Sequence, residues 1–263
     1  MKGVAALGAV VALKKAGALS AVRTVVGTSA GALIAAALAT DRARMSLVDD
    51  LAATAYEPDI DLAHVRTGFG LDSGRHLETW IRKVLGDGAR TFRDVLNAYG
   101  MRLVVCATNV SRRRAVYFGP DTDPDMDVAL ALRMSCSVPL YFSAVRHEGQ
   151  LYVDGGVSDN FPLEWAARQC ADKRVMGIAF ATRVSAPARS LEAYVSALVE
   201  CSTRQQYPCD VHDPRNALFH PSRCLMLHTG AAAAFDFGMP PDRLRALYAA
   251  GARQARSWTK KNA

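Results

Sequence analysis

The stretch VVGTSAGALIAAALA, Val25 to Ala39, constrains the fold more than any other. A β-branched run, Val22 to Val26, reads as a short buried strand and leads through Gly-Thr-Ser-Ala-Gly into an alanine-rich helix from Ala30 to about Ala39. A tight strand-to-helix turn of this kind holds its serine in a strained conformation, so the residues two before and two after it must be glycine. Gly27 and Gly31 meet that demand, and Ala30 is small as well. Ser29 would then stand at a helix N-terminus, where backbone N–H groups and the helix dipole favour the negative charge that develops when an ester is attacked. The same letters also suit a helix start chosen for close packing. The Gly-x-Ser-x-Gly pattern alone turns up by chance in roughly one chain in ten of this length.

The rest of the chain extends the alternation of strands and helices. Residues 3 to 16 read as a helix, and the segment from Asp49 to Gly100 is mostly helical, with Asp72-Ser73 a candidate N-cap and Gly86 a candidate stop. Thr91 and Asp94 are spaced as a capping box. Met101 to Thr108 and Ala115 to Phe118 read as strands, Val128 to Met134 as a helix, and Leu151 to Val153 as a strand that ends at Asp154-Gly155-Gly156. Arg174 to Phe180 and Cys224 to His228 are further strands; Leu191 to Gln206 and Pro241 to Trp258 are further helices. This order implies an α/β fold with a largely parallel sheet covered on both faces.

No linker, low-complexity stretch or fixed-period repeat divides the 263 residues, so we expect one domain over 1–263. The net charge of +7 favours anionic partners such as phosphate or an acidic membrane surface, or serves solubility alone. Apart from Arg112-Arg113-Arg114 and Lys260-Lys261 the basic residues are scattered with no nucleic-acid motif, which argues against a nucleic-acid role. The six cysteines form no CxxC pair and have no zinc-like spacing with the histidines, so no metal is expected. They read as free thiols of a reducing compartment, cytoplasmic or at a membrane periphery. The competing reading is secretion, because Met1 to Ala21 has a lysine, an apolar stretch and small residues. Lys14-Lys15 ends that stretch early, and its apolar residues recur at helical spacing.

A serine nucleophile needs a base. Where the base is a histidine that comes last in the chain, His212, His220 and His228 are the candidates, and none lies in a distinctive motif. Asp154 is better placed, since it follows an apolar strand and precedes two glycines in LYVDGGVSDNFPL. Asp-Gly-Gly is also an ordinary turn signature.

Taken together, these residues resemble the patatin-like phospholipase family. GTSAG at Gly27 to Gly31 and DGGVSDNFPL at Asp154 to Leu163 are similar to its two signature motifs, and ALRMSCSVPLYF, Ala131 to Phe142, to the segment that precedes its aspartate strand. Similarity extends in order through nearly the whole chain. The resemblance implies an α/β/α sandwich of three layers with a mostly parallel central sheet. It further implies a Ser–Asp dyad with no catalytic histidine, Ser29 the nucleophile and Asp154 the base, acting on acyl esters of lipids without a cofactor. Gly27, Gly31, Gly155 and Gly156 are the motif glycines. The implied partners are a phospholipid or other acyl-lipid substrate and, peripherally, a membrane surface; neither oligomeric state nor head group is legible.

The family's oxyanion loop is a glycine-rich GGGxR/KG stretch after a first strand. Lys2 and Gly3 match the end of that loop, and with Ala30 they are the expected oxyanion residues. The glycine triplet and the strand before it are not in this sequence. An N-terminally truncated form is the expectation, the alternatives being a chain that supplies the strand otherwise or a lipid-binding protein of the same fold with impaired catalysis. Lost oxyanion donors would cost about 3 kcal/mol or more at the transition state, and a lost strand would expose its neighbours' edges.

Overall fold

The computed structural model describes residues 3–53, 57–86, 88, 90–170, 175–181, 194, 197–198, 201, 219–230 and 239–262. Lys2, His212 and most of the helix expected over Leu191 to Gln206 lie outside them.

The chain opens with α1, Gly3–Lys15, buried continuously from Val4 to Leu13. It lies against the C-terminal helix α9, Pro241–Asn262. Their approach is backbone to backbone: a Cβ at Gly8 would stand 2.0 Å from the Tyr248 carbonyl oxygen, and one at Gly251 only 1.8 Å from that of Ala5. Leu13, Ala252, Ala255, Leu225 and Leu227 fill the seam between this pair and the strands β8, Gly177–Phe180, and β9, Cys224–Leu227, which pair in parallel.

The expected strand–turn–helix unit is present as β1, Thr24–Thr28, and α2, Ala30–Ala39. The strand starts two residues later than hydrophobicity suggested, because Val22 is held in a turn by its N–H bond to the Leu19 carbonyl at 3.1 Å. Between α2 and the next long strand run α3, Met45–Ala53, α4, Leu62–Gly68, β2, Gly70–Asp72, α5, Arg75–Leu85, and α6, Phe92–Tyr99. The Thr91–Asp94 capping box forms at the start of α6. Asp72 does not cap α5 from solvent. It is wholly buried and accepts N–H bonds from Gly74, at 2.7 Å, and Asp59, at 3.2 Å.

β3, Arg102–Asn109, is the spine of the main sheet, followed by β4, Arg114–Phe118, α7, Val128–Ser135, β5, Leu140–Phe142, β6, Val145–His147, β7, Gln150–Asp154, a single 3₁₀ turn at Gly155–Val157, and α8, Leu163–Gln169. The architecture is α/β, but the main sheet is mixed rather than mostly parallel. Only β1 pairs with β3 in parallel; β4 and β7 pair with it antiparallel, and β6 with β7 antiparallel. Loop length explains two of these three antiparallel pairs. Four residues join β3 to β4 and two join β6 to β7, too few for the crossover that parallel neighbours need. Among the described residues no helix is long and apolar enough to cross a membrane.

The glycine contact between α1 and α9 sets a test of this packing. Gly251→Ala should lower stability by about 1–3 kcal/mol, seen as a reduced urea midpoint with an unchanged slope, because its methyl group would meet backbone that cannot move aside.

Candidate active site

One edge of β3 brings the two signature motifs together. β1 pairs with Arg102 through Cys106, and β7 continues along the same edge, antiparallel, with Asn109, Thr108 and Ala107, while β4 occupies the opposite edge. The strands run toward each other and stop head to head, Thr28 opposite Cys106 and Asp154 opposite Ala107. The residue that leaves β1 is Ser29, and the last residue of β7 is Asp154. Residues 125 positions apart are therefore placed together by adjacent positions on one strand.

Ser29 has φ 53 and ψ −126, a conformation that costs a non-glycine residue on the order of 1–3 kcal/mol. Its backbone N–H donates to Ser135 Oγ at 2.8 Å, and that hydroxyl donates to the Cys106 carbonyl at 2.6 Å. Gly27 is required: a Cβ there would lie 2.4 Å from the Gly31 carbonyl oxygen. Gly31 differs from expectation, since its Cβ would meet nothing within 4 Å. The close approach of strand and helix is met at Gly27 alone.

Asp154 is only 3% exposed. Its N–H donates to the Ser137 carbonyl at 2.8 Å, and its own carbonyl accepts from Thr108 Oγ1 at 2.8 Å. On the carboxylate, Oδ1 accepts from the Gly156 N–H at 2.7 Å, whereas Oδ2 is buried with no hydrogen-bond partner. The Ser29 hydroxyl lies close enough to stabilise the charged carboxylate without being aligned as a hydrogen bond to Oδ2. Burial outweighs this and the Gly156 bond, and pushes the carboxyl up from 3.8 to about 6. Gly155 is needed, since a Cβ there would lie 2.4 Å from the Cys106 carbonyl oxygen; a Cβ at Gly156 would stand 2.9 Å from the Oδ1 atoms of Asp154 and Asn160 and would press on the carboxylate itself.

The loop after the aspartate is fastened on both sides. Thr28 Oγ1 donates to the Asp159 carbonyl at 2.8 Å, and the Tyr117 hydroxyl to Asp159 Oδ2 at 2.5 Å. Arg133, buried on α7, donates to the carbonyls of Gly74, Ser73 and Ser143 at 3.0–3.1 Å and to Ser137 Oγ, so it fixes the segment whose carbonyl holds Asp154. Sequence reasoning missed Ser135, Thr108 and Arg133. Ser135 and Arg133 lie inside the ALRMSCSVPLYF segment, and that was their only signal.

Ala30 is the first residue of α2, where N–H groups have no acceptor within the helix. Gly3 packs on it, a Cβ at Gly3 lying 3.4 Å from Ala30 Cβ. Of the late histidines, His220 is exposed and bonded to Ser222, and His228 is exposed with its backbone N–H on Gln254. No histidine among the described residues bonds to Ser29 or Asp154. Nor do the described residues contain a His, Cys, Asp and Glu cluster that could hold a metal ion.

Residues 1–167 match the model of the patatin-like phospholipase family. "Probable lipid hydrolase 463L" of Invertebrate iridescent virus 6 is 28% identical over 64% of this chain and 60% of its own length. The Bacillus subtilis (strain 168) protein YqhO, described as uncharacterized, is 28% identical over 99% of this chain and 95% of its own. The chain thus spans about 60% of the viral relative. Among solved structures, VipD from Legionella pneumophila superposes with a TM-score of 0.57 at 16% identity, over 99% of this chain and 65% of VipD, a likeness of fold.

The raised carboxyl of Asp154 has a consequence for stability. Between pH 4 and 6 the folded protein holds this proton more tightly than the unfolded chain, so ionisation costs stability that is absent below pH 4 and in full above pH 6. Asp154→Asn should therefore stabilise the fold by about 1–3 kcal/mol at neutral pH, with the gain fading toward pH 4. Denaturation at several pH values measures it.

Proposed function

Because the chain belongs to the patatin-like phospholipase family, we propose that it hydrolyses carboxylic esters of lipids, in the manner of a phospholipase A or lysophospholipase, through Ser29 and Asp154. The observation that carries this reading is the buried, unpartnered Oδ2 of Asp154 beside a serine held at φ 53. The description of the viral relative as a "probable lipid hydrolase" supports the substrate class.

In the first step Ser29 Oγ forms a bond to the acyl carbon while its proton passes to Asp154 Oδ2. The negative charge that collects on the former carbonyl oxygen is met by the Ala30 N–H and the N-terminal end of α2. The Ser29 N–H is engaged by Ser135 and is not a donor in this arrangement. As the tetrahedral species collapses, the bond to the leaving alkoxide breaks and Asp154 returns the proton to it, which leaves Ser29 acylated. Water then repeats the sequence: its proton goes to Asp154, its oxygen to the acyl carbon, and the fatty acid departs as the proton returns to Ser29 Oγ. A carboxylate of ordinary pKa is a weak base for a serine. At about 6, Asp154 remains ionised at neutral pH yet holds a proton better by about two orders of magnitude.

Hydrolysis of a lysophospholipid tests the assignment. Ser29→Ala and Asp154→Asn should each lower kcat/KM by at least about 10³-fold, while His220→Ala and His228→Ala leave it unchanged. A loss at either histidine as large as that at Ser29 would replace the dyad with a triad.

A further inference from the structure

α4 has no buried residue. With its flanks it exposes Ile60 at 53%, Leu62 at 77%, Val65 at 41% and Phe69 at 50%. Leu140, 54% exposed, joins them through the parallel pairing of β2 and β5, where it is the partner of Gly70. Single exposed apolar side chains are ordinary, but a contiguous group marks a surface that meets something.

The backbone supplies an independent observation. Phe69 has φ 63 and Leu140 φ 67. A large L side chain is strained in this left-handed region, whereas glycine adopts it freely. Two bulky apolar residues are thus strained next to each other and half in water, where burial compensates neither. Strain of this kind persists where the side chain itself is needed.

Two guanidiniums border the patch. Arg66 lines, with Leu62, Ala63 and Thr67, a shallow depression of about 480 Å³, and the Arg146 guanidinium sits 5.8 Å from the centre of the Phe69 ring. Two carboxylates stand at its margin: the exposed Asp61 caps α4 by accepting the Ala63 N–H at 2.8 Å, and Asp59 is paired with Ser73 and Arg75.

The geometry points to Ile60, Leu62, Val65, Phe69 and Leu140, with Arg66 and Arg146, as the face by which the protein docks on an anionic phospholipid surface. Leucine and phenylalanine enter the boundary between headgroups and acyl chains, and the two guanidiniums pair with lipid phosphates. This deepens and rests on the lipid-ester reading above. Leu140 is three residues beyond Ser137, whose carbonyl holds the Asp154 N–H, so the two Cα atoms are within about 11 Å. The patch is thereby tied through a short segment to the residue that holds Asp154.

The full chain carrying Ser29→Ala, which leaves lipid intact, is sedimented with vesicles of phosphatidylcholine alone or with added phosphatidylserine. It should bind the anionic vesicles more strongly, and the added pair Leu62→Ser and Phe69→Ser should weaken that binding at least about tenfold. In the presence of Ser29, the same pair should leave hydrolysis of a water-soluble short-chain ester unchanged. Leu140→Gly separates docking from packing: relief of the left-handed strain should keep the melting temperature at or above the parent's while vesicle binding falls. Unchanged vesicle binding in the serine pair would overturn the proposal. So would a sedimentation profile in which the pair dissociates a dimer without altering vesicle binding, which would assign the patch to a second copy. If vesicle binding depends on the patch but no ester is hydrolysed, docking stands and the hydrolase reading fails.

Discussion

Everything at this site hangs on a single peptide carbonyl, that of Cys106 in the middle of β3. Thr28 ends β1 opposite Cys106. The Cys106 carbonyl accepts from the Ser135 hydroxyl that holds the Ser29 N–H, and it leaves no room for a Cβ on Gly155. One position thereby fixes where β1 stops, how Ser29 is turned and how closely the Asp154 loop approaches. Thr108, two residues on, holds the Asp154 carbonyl and so completes the frame. A serine and a carboxylate on flexible loops would have to be ordered at each encounter with substrate; here the sheet has ordered them in advance.

The electrostatics follow from the same burial. Asp154 sits among apolar and neutral groups, and its nearest buried neighbours answer to it: the thiols of Cys106 and Cys136 are pushed up, mainly by burial and further by carboxylates that include Asp154, so both stay protonated. Arg133 is buried in the same region, yet its donors are spent on three carbonyls and on Ser137. Among the described residues no cation pairs with the Asp154 carboxylate, and its proton affinity stays raised. A strained serine and an unpaired carboxylate oxygen both cost the fold free energy, as is common where structure serves chemistry rather than stability.

The parts legible in the sequence were those where one residue type is physically forced. Gly27 and Gly155 admit no Cβ, and so the motifs that contain them can be read. Ser29 and Asp154 stand out beside them. The alternation of elements gave the α/β class but misjudged the sheet, because strand direction is decided by loop length and pairing rather than by hydrophobic pattern. The start of β1 was misplaced for a related reason: Val22 looks like a strand residue, but its N–H is used in a turn. Ser135, Thr108 and Arg133 act through contacts that reach from 29 to 106 positions along the chain, and the pattern of residues around each gives no local sign of such partners. Asp72 shows the converse, a residue whose local pattern read as a helix cap while its burial makes it a structural anchor.

The pairing of Ser29 with Asp154 is tested most directly by the rate at which a fluorophosphonate modifies Ser29 as a function of pH. With Asp154 as the base, the rate should rise about tenfold per pH unit below 6, level off above it, and collapse in Asp154→Asn. A rate that survives in Asp154→Asn, or that turns over near pH 7 and disappears on replacement of a histidine, would contradict the account.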